Sequence, residues 1–358
     1  MARLEPFPLY HASGSHRELG RQHGEQAREQ IRTHLASLQR STGLATARFE
    51  ARALRFRPLF TEYCPHLLEE VEGLAEGAGV TLAGALAVNI RGALGVVPDE
   101  GCTAFVVGRD GTASGEALIG QNSDMLAENL PCAYVLRLEP DDKPAILIWT
   151  FGGMIGYHGL NGAGVAHFAN DLGDGGPARR FGLPHYPVKR LMLECRSVAE
   201  VVALLRRVPL WFNGNYVLCD GQGAMLDVEA TSAGPEIIGD DGRGYIVHAN
   251  HYRAPRYATA ENAAATYADS FPRQDRIDLL LAERYGALTV DDMAAILADH
   301  SDYPAAICRH SRVTDGSTDF ETAGVTVAAL IAEPERGRLH VAPGNPCLNP
   351  FTTYALDA

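Results

Sequence analysis

Lysine is almost missing from this 358-residue chain: only Lys143 and Lys189 carry it, so Arg supplies the remaining Lys+Arg charge. With 31 Lys+Arg against 44 Asp+Glu the formal net charge is −13. A surface this acidic repels phosphate, which argues against nucleic acid and anionic membrane as partners. Long apolar runs are also missing. Stretches such as Leu82–Ile90 and Ala145–Trp149 fall far short of the roughly 20 residues of a membrane span. The cysteines at 64, 102, 132, 195, 219, 308 and 347 include no C-x-x-C and no zinc-ligand spacing. Their odd number in so long a chain argues against a disulfide framework, and neither metal nor cofactor is expected. The N-terminal MARLEPFPLYHASGS lacks the charged and apolar regions of a secretory signal, and the C-terminal ALDA is no recognised targeting tripeptide. Free thiols without a signal fit a reducing, cytoplasmic compartment.

What is present is ordinary globular composition, 46% apolar and 21% charged. The first hundred residues differ in texture from the rest. Ser15–Arg40 carries Leu19, Ile31, Leu35 and Leu38 at helical spacing, with Ser15 and Glu18 placed as a capping box. Phe49–Phe60, Cys64–Gly77 and Thr81–Leu94 also read as helices. After a turn-like Pro98–Gly101 the pattern changes to short apolar runs split by Gly, Asp and Pro. Strands are expected at Thr103–Val107, Ala117–Gln121, Ala133–Leu138, Ala145–Trp149 and Gly164–Phe168, then at Tyr216–Cys219, Ala224–Glu229, Gly244–His248, Val325–Ala332 and Arg338–Val341. Helical pairs at Pro184–Glu194 with Val198–Arg206, and at Arg273–Arg284 with Val290–Asp299, interrupt them. This order suggests packed sheets with helices outside.

The chemistry gathers at the change of texture. Cys102 follows Gly101 at the start of a strand. A lone Cys there is more often a buried core residue than a nucleophile. Its company decides otherwise. Gly120-Gln121-Asn122-Ser123-Asp124 ends a second strand and comes alongside if the two strands pair across the Asp110-Gly111 turn. His248-Ala249-Asn250-His251 stands at another strand end, and Asp302–Arg309 closes the set.

Taken in order, GCTAF, GEALIGQNSD, IGYHGLNGAGVA, GLPHYPVKRLMLE, HANH and DYPAAICR resemble the acyl-coenzyme A:6-aminopenicillanic acid acyltransferase family, peptidase family C45 of the N-terminal nucleophile (Ntn) hydrolases. The resemblance runs from Gly20, His23 and Gly24 to Arg309 and covers most of the chain. It implies an α+β fold, a four-layer αββα sandwich of two stacked antiparallel sheets. It implies one structural domain that cuts itself between Gly101 and Cys102, leaving residues 1–101 as a helical pro-segment and 102–358 as the catalytic region, with the two fragments staying associated. Cys102 is then nucleophile and base, Asn250 steadies the oxyanion, Asp124 orients the new α-ammonium or the arginine, Arg309 lies beside that carboxylate, and Thr103 assists self-cleavage. Ala104 and Ser123 depart from the family pattern beside the nucleophile, so the penicillin substrate is not carried over.

The physical chemistry agrees. A free thiol has a pKa of about 8.5 and attacks only as thiolate. An α-amine, at roughly 7.7–8.0, can take its proton near pH 7. One residue carrying both fixes their separation covalently. Before cleavage the nitrogen is an amide and accepts no proton. Gly101 suits the first attack because glycine tolerates a strained backbone. Other motifs read blandly: His248-x-x-His251 has no third ligand nearby, Gly159, Gly162 and Gly164 are turn glycines, and Trp211, Phe212 and Tyr216 are core.

The expected function is thus a self-processing cysteine amidohydrolase or acyltransferase working through an acyl-S-Cys102 intermediate on a small-molecule amide or acyl thioester. An acyl-CoA-dependent N-acyltransferase and an uncleaved, non-enzymatic sandwich are the alternatives. A homo-oligomer is compatible with the sequence.

Overall fold

The computed structural model describes residues 3–95, 101–173, 175–264, 268–310 and 324–357. Strand β1 (Leu9–Gly14) leads into the helices α1 (His16–Gln26), α2 (Arg28–Thr42), α3 (Thr46–Leu54), α4 (Arg57–Tyr63), α5 (Pro65–Ala78) and α6 (Leu82–Asn89). Ser15 caps α1 by accepting from the Glu18 N–H, as its spacing predicts. The run expected as one helix over Phe49–Phe60 is broken between α3 and α4, with Pro58 set in the first turn of α4. Helices α1 and α5 cross so closely that side chains on their seam would collide. A Cβ on Gly20 would stand 1.8 Å from the Glu70 carbonyl oxygen, and one on Gly73 2.1 Å from that of Arg17. Buried Glu70 ion-pairs with the equally buried Arg190 at 3.2 Å, tying this helical block to the later chain.

From Cys102 the chain is mostly strand: β2 (Cys102–Val107), β3 (Leu118–Met125), β4 (Ala133–Pro140), β5 (Ile146–Phe151), β6 (His158–Asn161) and β7 (Ala166–Asp171). Helices α7 (His185–Met192) and α8 (Val198–Arg207) precede β8 (Gly214–Cys219), β9 (Met225–Thr231), β10 (Gly234–Ile238) and β11 (Tyr245–His248). Then come α9 (Ala260–Ala264), α10 (Ser270–Arg284), α11 (Val290–Leu297), β12 (Val325–Glu333), β13 (Arg338–Pro343) and β14 (Thr352–Ala355). The strands form an eight-stranded sheet, β1-β4-β5-β6-β7-β8-β9-β10, and a six-stranded sheet, β11-β2-β3-β12-β13-β14. The pairing is antiparallel as expected, except that β1 joins β4 in parallel. The amino-terminal segment therefore supplies a strand as well as helices.

The sheets face each other across a core that includes Val106, Ile119, Leu147, Trp149 and Leu330. Complete burial of such side chains contributes about 1.5–3 kcal/mol each. The outer face of the larger sheet packs on α1–α8, and that of the smaller on α10 and α11 through Phe105, Val107, Ile277 and Leu297. This is the expected four-layer αββα sandwich. Strands β1, β6, β10 and β14 lay outside the sequence reading; β10, half-buried at every position but one, has no alternation to mark it. The turn expected at Pro98–Gly101 lies, Gly101 apart, outside the described residues. Among the described residues no single helix is long and apolar enough to cross a membrane.

Candidate active site

Cys102 opens β2, and its side chain shares the inter-sheet face with Ala104 and Val106, since residues alternate along a strand. It is 3% exposed. Strand β3 pairs with β2 so that Ser123 stands opposite Cys102 and Asn122 opposite Thr103. The expected hairpin is therefore present, and each polar residue of its second strand takes a separate task. Gln121 clamps the two sheets, donating to the Ala169 carbonyl at 2.9 Å and accepting its N–H at 3.1 Å. Asn122 turns to the helical side and donates to the carbonyls of Leu297 (2.8 Å) and Ile307 (2.9 Å). Ser123 faces the thiol side. Asp124 offers its backbone N–H to the Gly101 carbonyl at 2.9 Å and accepts at Oδ1 from the Thr326 hydroxyl at 2.7 Å. A register shift in β12 between Thr326 and Ala328 places Thr326 opposite Asp124.

Asn250 arrives by continuation of β11. His248 pairs with Ala104, so two residues further the chain draws level with Cys102. There the Asn250 side chain replaces the ladder. Its Oδ1 accepts the Cys102 backbone N–H at 2.8 Å, and its Nδ2 donates across to the Asp171 carbonyl at the end of β7, 2.9 Å away. Donors aimed at Oδ1 fix which way the amide points.

Arg273 is the residue that sequence reasoning missed. Completely buried, it donates through Nη1 to the Cys102 carbonyl (2.8 Å) and the Thr103 hydroxyl (2.6 Å), and through Nη2 to Asn250 Oδ1 (2.8 Å) and Asp269 Oδ1 (3.3 Å). A signal existed: Ser270, Arg273, Ile277 and Leu281 form the buried stripe of α10, and an arginine on an apolar stripe needs partners. Asp269, also missed, bridges Arg273 to Arg309, whose Nη2 donates to its other oxygen. Arg309 is expected beside Asp124, and it is near, with Nε 3.9 Å from Oδ2, but its direct hydrogen bond goes to Asp269. The outcome is a chain of alternating charge, Asp124, Arg309, Asp269, Arg273, ending on the Cys102 backbone.

A Cβ on Gly101 would lie 2.3 Å from Arg309 Nη1, so glycine leaves room for the guanidinium. His248 and His251 hold hydrogen bonds to Glu229 (3.1 Å) and Ser270 (2.8 Å), as structural histidines do.

Burial pushes the Asp124 carboxyl up to about 6, against the pull of Arg309, Arg273 and the Thr326 hydrogen bond. The folded chain therefore holds this proton more tightly than the unfolded chain does. Stability from this group is complete below pH ~4 and is lost as pH rises to about 6, a span worth roughly 3 kcal/mol. Asp124→Asn, neutral throughout, is expected to remove that slope. Urea unfolding at pH 4.5 and 7.5 checks it: the variant gains stability over wild type at the higher pH relative to the lower. Equal differences at both values would refute the assignment.

Residues 111–346 match the family described as acyl-coenzyme A:6-aminopenicillanic acid acyl-transferase. The chain belongs to this family. The match opens just past Cys102 and spans Asp124, Asn250, Arg273 and Arg309. Among curated relatives within the acyl-transferase family, the 40 kDa form of acyl-coenzyme A:6-aminopenicillanic-acid-acyltransferase from Emericella nidulans is 28% identical over 308 residues, covering 83% of each chain. Among solved structures, a conjugated bile acid hydrolase variant from Clostridium perfringens has a TM-score of 0.50 at 13% identity, covering 71% of this chain and 96% of that one. Penicillin V acylase from Agrobacterium tumefaciens gives a TM-score of 0.40 at 12% identity, over 68% and 75%. The fold is that of the conjugated bile acid hydrolase, and the protein belongs to an enzyme family of acyl-transferase type.

Proposed function

We propose that this acyl-transferase family member cuts itself between Gly101 and Cys102 and then works as an N-terminal-cysteine amidohydrolase through an acyl-S-Cys102 intermediate. One observation carries the reading: the nitrogen that such a cut would free is already held, donating to Asn250 Oδ1 at 2.8 Å, while Arg273 grips the same oxygen and the Cys102 carbonyl. A purely structural cysteine needs no such arrangement around its backbone.

In the first step the Cys102 sulfur attacks the Gly101 carbonyl carbon. The Asp124 N–H on that carbonyl oxygen, 2.9 Å away, polarises it and stabilises the developing negative charge. The C–N bond breaks, the nitrogen takes a proton, and a thioester joins Gly101 to Sγ. Water hydrolyses the thioester, giving a Gly101 carboxylate and a free thiol beside a free α-amine. The amine then accepts the thiol proton during attack on a small amide. The Asn250 Nδ2 group supplies a donor for the oxyanion of that second reaction. Arg309 and Asp269 keep Arg273, and through it Asn250, in register.

Denaturing mass spectrometry of the purified protein tests this. Two fragments spanning residues 1–101 and 102–358 are expected, comigrating under native conditions, with an acyl mass increase confined to the larger one after exposure to a reactive small amide. One intact chain whose Cys102 also resists iodoacetamide would refute the proposal. The name of the Emericella nidulans relative favours a second reading, acyl transfer from a thioester to an amine. Partition of the acyl-enzyme between water and an added amine separates the two.

A further inference from the structure

We propose that His300, Cys308, His310 and Cys347 form a tetrahedral zinc site that fixes the segment carrying Arg309. The four ligand atoms lie within 4.8 Å of one another. Cys308 Sγ is 3.7 Å from Cys347 Sγ and 3.7 Å from His310 Nε2, Cys347 Sγ is 3.2 Å from His310 Nε2, and the two histidine Nε2 atoms are 2.9 Å apart. Zinc bonds thiolate at ≈ 2.3 Å and imidazole at ≈ 2.0–2.1 Å, so the edges of a regular tetrahedron are about 3.8 Å for S···S, about 3.5 Å for S···N and about 3.4 Å for N···N. The four separations given above match these edges to within half an ångström or so, and the two from His300 to the sulfurs lie within 4.8 Å. A disulfide fits less well. Its sulfurs would have to close to about 2.05 Å, and it would leave two imidazole nitrogens converging for no purpose.

The chemistry is consistent with zinc. Two thiolates neutralise the divalent ion and two neutral imidazoles complete a closed set, which is the signature of a structural site. Each thiol releases its proton to solvent as its Zn–S bond forms, and nothing is oxidised. Cys308 is buried, the histidines are half-buried and Cys347 is exposed, so the ion has a way in. Asn345 supports the arrangement from outside, donating to Cys308 Sγ at 3.5 Å and to the Arg309 carbonyl at 2.5 Å. The site joins three pieces of chain: the segment just after α11, the Cys308–His310 segment and the loop between β13 and β14. Arg309 stands between two of the ligands, and its guanidinium reaches Asp269 and the space over Gly101. This reverses the expectation of no metal drawn from the cysteine spacing. The ligands are scattered over positions 300 to 347 without a local motif, and folding alone assembles them.

The experiment uses the full chain, treated with chelator and then with one equivalent of zinc chloride. Native mass spectrometry and elemental analysis are expected to give one zinc per chain, and cobalt(II) in its place the visible absorption of tetrahedral thiolate ligation. Cys347→Ser, at an exposed position, and His310→Ala each lose the stoichiometric zinc and the cobalt bands, while Cys102→Ala keeps both. Chelator lowers the melting temperature of wild type and leaves Cys347→Ser unchanged. Failure of zinc-treated wild type to hold one equivalent, full metal retention by both ligand variants, or a Cys308–Cys347 disulfide in peptide maps would each overturn the site. Metal content is read without substrate, so such a failure leaves the reading of Cys102 untouched.

Discussion

Replacing Cys102 by Ala is expected to leave one uncut chain and to lower turnover of small amides by about 10⁴-fold or more, the scale seen when a catalytic nucleophile is removed. The substitution takes away the sulfur needed for the first attack, so Gly101 keeps its amide bond and no α-amine appears. It should not disturb the fold. Ala already occupies position 104 on the same face of β2, and position 102 is buried, with the small Ser123 opposite. Melting temperature close to that of wild type therefore separates loss of chemistry from loss of structure. Cys102→Ser gives a graded result: its hydroxyl is a weaker nucleophile near neutral pH, so cutting proceeds slowly. Denaturing mass spectra taken over days measure both. Cutting of the Ala variant at the same bond would mean that another group performs the reaction.

Arg273→Met is expected to be the most damaging change outside the nucleophile. It removes the cation that links Cys102, Thr103, Asn250 and Asp269. Breaking a buried charged pair by deleting one partner costs about 3–5 kcal/mol. The lower end applies here, because Asp269 keeps Arg309. The Cys102 carbonyl and Asn250 Oδ1 each lose a donor inside the protein. Arg273 acts on the reaction through Asn250 and is thus a positioning residue. Arg273→Lys is the decisive companion: it keeps the charge, but one ammonium cannot reach four acceptors set out for a planar fork. It should recover most of the melting temperature while turnover of small amides stays slower by about 10²–10³-fold, the usual cost of a misplaced oxyanion donor. If turnover recovers in step with stability, the arginine serves packing alone.

The sequence was informative where local rules act. Ser15 at its cap, the helical periodicity before residue 95 and the short alternating runs after it each depend on neighbours a few residues away. So does pairing of β2 with β3, which follow each other along the chain and are joined by residues 108–117. Residues Cys102, Asp124, Asn250 and Arg309 could be singled out because each sits in a motif whose order along the chain carries the resemblance. Strands β6, β10 and β14 escaped because they are short, and a short strand is defined by its partner more than by its own residues. The break between α3 and α4 escaped because apolar spacing continues across it.

By itself, the sequence determined the change from helices to strands that begins at Cys102 and, through the order of its motifs, the family and its αββα layering, because periodicity and motif order are one-dimensional properties. Only the tertiary structure decided that Arg309 bonds Asp269 before Asp124, that Arg273 anchors the site, and that His300, Cys308, His310 and Cys347 meet at one point. Those are contacts between residues far apart in the chain. Buried charges and metal-ligating atoms choose partners by distance and desolvation, and neither quantity exists until the sheets and helices have packed.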